Sequence, residues 1–213
     1  MTDELPHEAI EIPDKEPFVE EVQVAGGKNS SDKAQKKAWL SSQVIIVALA
    51  FGGAALAVVL AGITFPIPGT PVVTDPREIF TTIGASLTGP AGGIIIGILA
   101  GIAEPAIPLA SMLAHTLGGI FNGFVYKKVT WRFSEKKLVF ITLWVGQVLI
   151  YYFIIVVPLF AIGTMIFYPD PEYSFSILLS NLSLGVVREV ILTVVISSII
   201  MLVLPRRHKR PLW

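Results

Sequence analysis

Long uncharged, apolar stretches alternate with short polar ones along this chain. Residues 38–74 and 138–169 contain no charged side chain at all. Runs of about 18 or more apolar residues are long enough to cross a bilayer as helices. The pattern therefore predicts an all-α integral membrane protein, with spans at about 40–63, 109–126, 138–167 and 176–204. Pro158 is expected to kink or end the long run that contains it.

Residues 79–103 form a further apolar stretch that permits two interpretations. It is either one span broken at Gly89-Pro90, or two short segments, 77–88 and 91–103, joined by a turn at Thr88-Gly89-Pro90. The preceding segment, 64–78, contains four prolines, which exclude a helix interior. We expect that segment to be a loop with extended pieces.

The distribution of lysine and arginine decides between the two interpretations, because these residues accumulate in cytoplasmic segments. Four precede the first span, five lie in 127–137 and four follow the last span, whereas 64–78 has one and 167–175 has none. If the N-terminal segment and 127–137 are both cytoplasmic, an even number of spans separates them. We therefore predict six transmembrane helices with both termini cytoplasmic and unusually short second and third helices.

The same pattern divides the chain into three regions. The composition of residues 1–39, with eight acidic residues and one lysine among the first 24, predicts a disordered, cytoplasmic tail. A docking role for the tail stays open. Residues 40–204 form the six-helix membrane domain, and residues 205–213 form a basic cytoplasmic C-terminus.

Composition narrows the chemistry further. The chain is 53% hydrophobic with a mean hydropathy of +0.71 and has no cysteine, which excludes disulfides, thiolate metal sites and cysteine nucleophiles. Three histidines and a net charge of zero give no support to a histidine-rich metal site or to nucleic-acid binding. We predict no metal and no cofactor.

Polar residues within the spans recur at intervals of three and four, which places them on single helical faces. Unsatisfied polar groups are costly in hydrocarbon, so these faces should turn inward and enclose an outward-opening pocket for a small polar ligand. The predicted substrate-binding residues are Glu104, Ser111, His115, Asn122, Trp144, Gln147, Tyr151, Asn181 and Arg188.

Purely structural roles remain open for several of these residues. Ser111 and Asn122 are of the kind that joins helices by hydrogen bonds, and Trp144 is large enough simply to pack. Tyr151 suits an aromatic belt at the membrane boundary. Arg188 is adjacent to Glu189 and could pair with it.

Three glycines at intervals of four, Gly93, Gly97 and Gly101, form a smooth ridge on the third segment. Such a ridge lets a neighbouring helix approach closely. Glu104 follows on the same face, so we expect the ridge to end at a binding residue.

The motif IFTTIGASLTGPAGGIIIGILAG and the six-span pattern resemble the substrate-binding S components of energy-coupling-factor (ECF) vitamin transporters. The resemblance covers residues 40–205. It implies that helices four to six and the first outer loop capture a vitamin-like metabolite from outside a prokaryotic cell membrane. It also implies a transmembrane coupling subunit and two ATPase subunits as partners, with docking through small residues of the first helix, here Ala50, Gly53, Ala54, Ala57 and Ala61.

ATP hydrolysis would belong to those partners, because the chain has no phosphate-binding loop of the G-x-x-x-x-G-K-[ST] type. Within the site, Arg188 would suit a carboxylate or phosphate, and Glu104 would suit a cationic amine or ring, with Trp144 or Tyr151 stacking on it.

Three other functions are alternatives. A membrane sensor that supplies a signalling partner is one, and a stand-alone secondary transporter, whose broken helices the short second and third segments would match, is another. An enzyme is disfavoured, because Ser111 and His115 lie one turn apart but no acid in the neighbouring sequence orients them.

Overall fold

The computed structural model describes residues 64–104 and 106–204, together with scattered positions in 52–59 and at 209 and 211. The acidic tail, most of the predicted first span and most of the basic C-terminus lie outside the described residues. The elements are β1 (Phe65–Pro66), β2 (Val73–Thr74), α1 (Arg77–Ile102), α2 (Pro108–Lys128), a 3₁₀ turn (Thr130–Phe133), α3 (Lys137–Ile150), a π-helical segment (Tyr151–Val156), α4 (Val157–Phe167), α5 (Phe175–Gly185) and α6 (Val187–Val203).

The proline-rich segment forms a short β-hairpin. Its strands are antiparallel, with Phe65 opposite Thr74 and Pro66 opposite Val73. Gly69, at the tip, has a φ of 73°, a left-handed conformation that favours glycine. The predicted loop with extended pieces is confirmed.

Helix α1 folds back on itself at Gly89. This residue has φ 79° and ψ −174°, which no α-helix contains, and Pro90 follows it. Arg77 Nη1 donates to Ala100 O at 2.7 Å, although 23 residues of straight helix would separate these residues by about 35 Å. The predicted turn at Thr88-Gly89-Pro90 is therefore confirmed, and the halves of α1 lie antiparallel.

The glycine ridge of α1 packs directly on α2. A Cβ atom added to Gly97 would lie 2.6 Å from both the His115 carbonyl carbon and Thr116 Cα, and one added to Gly101 would lie 2.7 Å from Met112 Cγ. These distances are too short for any side chain, so the close approach of the two backbones requires glycine. The expected ridge is confirmed, and its partner is α2.

Length and hydropathy qualify Arg77–Ile102 and Lys137–Phe167 as candidate membrane spans among the described residues, and also the α5–α6 pair if its 43° bend is counted within one span. In α1, however, each folded-back half is only about 20 Å long, shorter than the hydrocarbon core of about 30 Å. The protein is thus a predominantly helical membrane protein. The number of six spans and the cytoplasmic termini stay predictions.

Two spans differ in detail from the sequence prediction. The helix that contains Pro158 does not end there; it continues from Lys137 to Phe167 through the π-helical segment just before the proline. Because proline has no N–H to donate, the regular bonding is interrupted at this point. The last span, expected to be continuous, is bent by 43° between Gly185 and Val187.

Candidate functional site

A small buried cavity lies beneath the β-hairpin, where the start of α1, the loop after α1, α2, the π-helical segment and the α5–α6 junction meet. Its volume is about 30 Å³, enough for one or two water molecules. One wall is apolar and includes Val156, Phe160 and Leu182. The polar lining consists of Asp75, Arg77, Glu78, Glu104, His115, Tyr152 and Glu189, all of them buried.

Arg77 organises the hairpin side of the cavity. Its Nε lies 2.7 Å from Asp75 Oδ2 and its Nη2 lies 2.6 Å from Glu104 Oε2. Its Nη1 donates to Ala100 O, and its backbone N–H donates to Asp75 Oδ1 at 2.9 Å. The sequence Asp-Pro-Arg at the start of α1 thus builds a local turn in which the aspartate and the arginine share one site.

Burial changes the acidity of the two carboxyl groups on either side of this arginine. Burial raises the pKa of Asp75 to about 6, even though the Arg77 charge opposes that shift. Burial also raises the pKa of Glu104, and Arg77 again opposes the shift. In both cases the loss of hydration of the carboxylate outweighs the attraction of the guanidinium.

Glu78 and His115 lie within hydrogen-bond distance of each other. His115 Nδ1 lies 2.8 Å from the Ser111 carbonyl oxygen and 3.0 Å from Ser111 Oγ. A carbonyl can only accept, so Nδ1 carries hydrogen. His115 Nε2 lies 2.6 Å from Glu78 Oε1, a separation that requires a proton between the two atoms. Glu78 Oε2 also accepts hydrogen bonds from Thr81 Oγ1, at 2.8 Å, and from the Tyr151 hydroxyl.

Glu189 approaches the cavity from the first turn of α6. Its Oε1 accepts a hydrogen bond of 2.8 Å from the Tyr152 hydroxyl, which also lies 2.9 Å from Thr193 Oγ1. Tyr151 and Tyr152 are consecutive, yet both are buried and both reach a glutamate. The wider turn of the π-helical segment makes this arrangement possible, and such segments frequently occur at functional sites.

Comparison with known proteins identifies the chain's family. Residues 30–169 match the family model described as 5TMR of 5TMR-LYT. The chain belongs to the 5TMR-LYT family. The membership agrees with the helical, apolar structure and supports a membrane protein. No curated protein and no solved structure matches the chain.

In this 5TMR-LYT protein, two of the predicted binding residues, Glu104 and His115, line the cavity. Ser111 and Tyr151 stand behind it, where they contact His115 and Glu78 respectively. Asn181 touches the hairpin instead, through a bond of 3.2 Å from Nδ2 to Gly69 O.

Three other predicted residues lie apart from the cavity in a second polar cluster. Gln147 Nε2 contacts Asn122 Oδ1 at 3.1 Å and Ser86 Oγ at 3.1 Å, and Gln147 Oε1 accepts from Thr130 Oγ1 at 2.8 Å. Trp144 Nε1 donates to Ser197 Oγ at 2.9 Å. These bonds join α1, α2, α3 and α6, as expected of polar contacts between membrane helices.

Arg188 is exposed, and its guanidinium lies 5.9 Å from the centre of the Phe65 ring. The adjacent residue, Glu189, lines the cavity, and Arg188 does not. Of the predicted docking residues, Ala50, Ala54, Ala57 and Ala61 lie outside the described residues. A Cβ atom added to Gly53 would lie 3.8 Å from Ile96 Cδ1.

Sequence reasoning missed five polar residues of the cavity wall: Asp75, Arg77, Glu78, Tyr152 and Glu189. One signal was available for the first three, since TDPRE concentrates three charges at the start of an otherwise apolar segment. The acid that orients His115 is Glu78, 37 positions earlier in the chain. Ser111 is fully buried and does not line the cavity, so it positions the imidazole.

Proposed function

We propose that this protein is a membrane-embedded binding protein that holds a small polar ligand in the cavity beneath the hairpin. The observation that carries the proposal is the convergence of seven buried polar side chains on one cavity. All seven are ionisable, whereas the side chains that join the helices around Gln147 are neutral. Intramembrane ionisable groups of this kind are the usual mark of a binding site.

Two biological roles use such a site, and each has its own support. In the first, the chain is the S component of an ECF transporter in a prokaryotic cell membrane, and it captures a vitamin-like metabolite for import driven by partner ATPases. The support is the helical turn at Gly89-Pro90 between two short helices, beside a glycine ridge. In the second, the chain is a sensor domain that reports ligand occupancy to a signalling partner. The support is membership of the multi-span 5TMR-LYT family.

The binding function is tested by mass spectrometry of small molecules that co-purify with the protein. We expect one polar metabolite with the wild-type chain and with the control Glu172→Gln, because Glu172 is exposed in the loop before α5. The metabolite should be lost from Glu104→Gln. If nothing co-purifies and a broad vitamin panel gives no binding at micromolar concentrations, the proposal is wrong.

The two roles are separated by what the tagged protein retains from native membranes. A coupling subunit with two ATPases supports the transporter role, and a kinase without ATPases supports the sensor role. Reconstitution of the chain alone in liposomes tests a third role. Uptake driven by an ion gradient would identify a stand-alone secondary transporter. Replacement of Ala57, another of the predicted docking residues, by a large residue should weaken the ATPase complex if the first helix is the docking surface.

A further inference from the structure

We infer that the end of the bundle where α3 begins and α6 ends binds an anionic phospholipid, with the lipid phosphate held between Lys137 and Lys209. This site lies at the opposite end of α6 from Glu189 and uses no residue of the cavity, so it is independent of the proposed binding function. Three observations carry it: the position of Lys209, the uncompensated positive charge around it, and the exposed apolar side chains beside it.

Lys209, in the segment that follows α6, lies against the ends of two other helices. The hydroxyl of Tyr126, in the last turn of α2, donates a hydrogen bond of 2.8 Å to the Lys209 carbonyl oxygen. The Lys209 ammonium lies 5.3 Å from the centre of the Phe140 ring, in the first turn of α3, and 3.5 Å from the Leu202 carbonyl oxygen. Lys209 is therefore held at the point where α3 begins and α6 ends.

The positive charge of Lys209 is not compensated by the described part of the chain. Burial lowers the pKa of Lys209, and the charge of the neighbouring Lys137 lowers it further. Within the described residues, no carboxylate forms an ion pair with either lysine. Because like charges repel at this distance, an anion between the two ammonium groups would stabilise both of them.

The Lys209 ammonium also has hydrogen-bond donors that remain open. It carries three N–H groups, and the Leu202 carbonyl accepts one of them at a distance of 3.5 Å. The other two have no acceptor among the described residues, although Lys209 is only 8% exposed. Donors that are shielded from water need acceptors. A phosphate group supplies acceptor oxygens together with the negative charge that the two lysines require.

The side chains next to these lysines favour a lipid as the source of the phosphate. Leu138, which follows Lys137, is 81% exposed, and Val203, at the end of α6, is 78% exposed. Exposed apolar side chains of this kind mark contact with the membrane, and lysines at the ends of membrane helices reach the level of the head groups. A phospholipid can place its phosphate at the lysines and its acyl chains along Leu138 and Val203, whereas a soluble anion would leave both uncovered.

The surrounding sequence favours an anionic lipid over a zwitterionic one. Five of the six charged residues in 127–137 are lysine or arginine, and residues 205–213 contain four such residues and no acid. Clusters of basic residues beside a membrane helix attract anionic lipids, at about 1 kcal/mol for each lysine or arginine near the surface. Lys137 and Lys209 bring these two segments together at one end of the bundle.

The test compares phosphatidylglycerol with phosphatidylcholine of the same acyl chains by thermal unfolding of the detergent-solubilised full chain at neutral pH. We expect phosphatidylglycerol to raise the unfolding temperature more, and the difference to shrink at high salt. Lys137→Gln and Lys209→Gln should each weaken the apparent affinity for phosphatidylglycerol about fivefold. Arg188→Gln removes the same charge at the other end of α6 and should leave the affinity unchanged. The comparison of the two lipids needs no variant, so it can refute the site even if a substitution prevents folding.

Four other outcomes would overturn the inference. Equal stabilisation by both lipids, or by neither, would show that no anionic head group is recognised. Unchanged affinity in both lysine variants would place the lipid elsewhere. An equal loss in Lys128→Gln, whose exposed side chain lies at the end of α2, would indicate attraction by the overall charge and not by a defined site. Equal stabilisation by glycerol 3-phosphate at the same concentration would identify a soluble anion. None of these results affects the binding function of the cavity, which is tested separately.

Discussion

Replacement of Gly97 by alanine should separate α1 from α2 and disturb His115 without touching any charged group. The new Cβ would lie 2.6 Å from the His115 carbonyl carbon and from Thr116 Cα, both of which are backbone atoms. The helices must therefore move apart by about 1 Å to restore van der Waals contact at about 3.5–4.0 Å. Overpacking of this kind lowers the free energy of unfolding by about 1–3 kcal/mol. The higher helix propensity of alanine offsets up to about 1 kcal/mol of this loss.

Gly146→Ala is the matched control, because a Cβ at Gly146 meets no atom within 4 Å. It should leave the unfolding temperature unchanged or raise it slightly, whereas Gly97→Ala should lower it by about 2–8 °C and weaken ligand binding through the displaced His115. Thermal unfolding in detergent and ligand titration measure both effects. If Gly97→Ala is as stable as Gly146→Ala and binds equally well, the close packing does not position the site.

Three further perturbations test other parts of the structure. Arg77→Gln should lower the free energy of unfolding by about 3–5 kcal/mol, because it leaves two buried carboxylates without a partner. Arg132→Gln is the control, since Arg132 is exposed, and equal stability of the two variants would show that the Arg77 contacts do not stabilise the fold. The folded state binds the Asp75 proton more tightly than the unfolded chain does, since the pKa rises from 3.8 to about 6, so stability should fall as pH increases between these values; Glu104, with its raised pKa, adds to the trend. In a pH series of thermal unfolding, Asp75→Asn should flatten that dependence, and an unaltered slope would contradict the assignment. Gln147→Leu should cost about 1–3 kcal/mol by leaving its buried partners unpaired yet change ligand affinity less than twofold; a large loss of affinity in a titration would bring Gln147 into the binding site.

The features predicted correctly from the sequence depend on local chemistry. Gly-Pro dipeptides often mark turns, but the turn at Gly89-Pro90 was preferred over one broken span because of the lysine and arginine distribution. The spacing of Gly93, Gly97 and Gly101 places them on one helical face whatever packs on it. His115 was found because a lone polar face on an apolar helix must turn inward.

The residues that were missed depend on geometry that helical periodicity does not contain. Consecutive residues of an α-helix point about 100° apart, so a regular helix directs only one of Tyr151 and Tyr152 inward; the π-helical segment directs both. Glu189, and not Arg188, lines the cavity in the first turn after the 43° bend between α5 and α6. Arg77 and Glu78 reach Glu104 and His115 only in the folded chain, at separations of 27 and 37 positions.

The π-helical segment also has a consequence for the evolution of this family. Because it holds one residue more than a regular helix would place between the same two ends, a relative without it should align with a one-residue gap between positions 150 and 157. Such a relative could direct only one of the two tyrosines inward, so it should also lack one of their acidic partners, Glu78 or Glu189. The extra residue and the acid should therefore be lost together across the family. Loss of one without the other would show that the extra residue has no connection with the site.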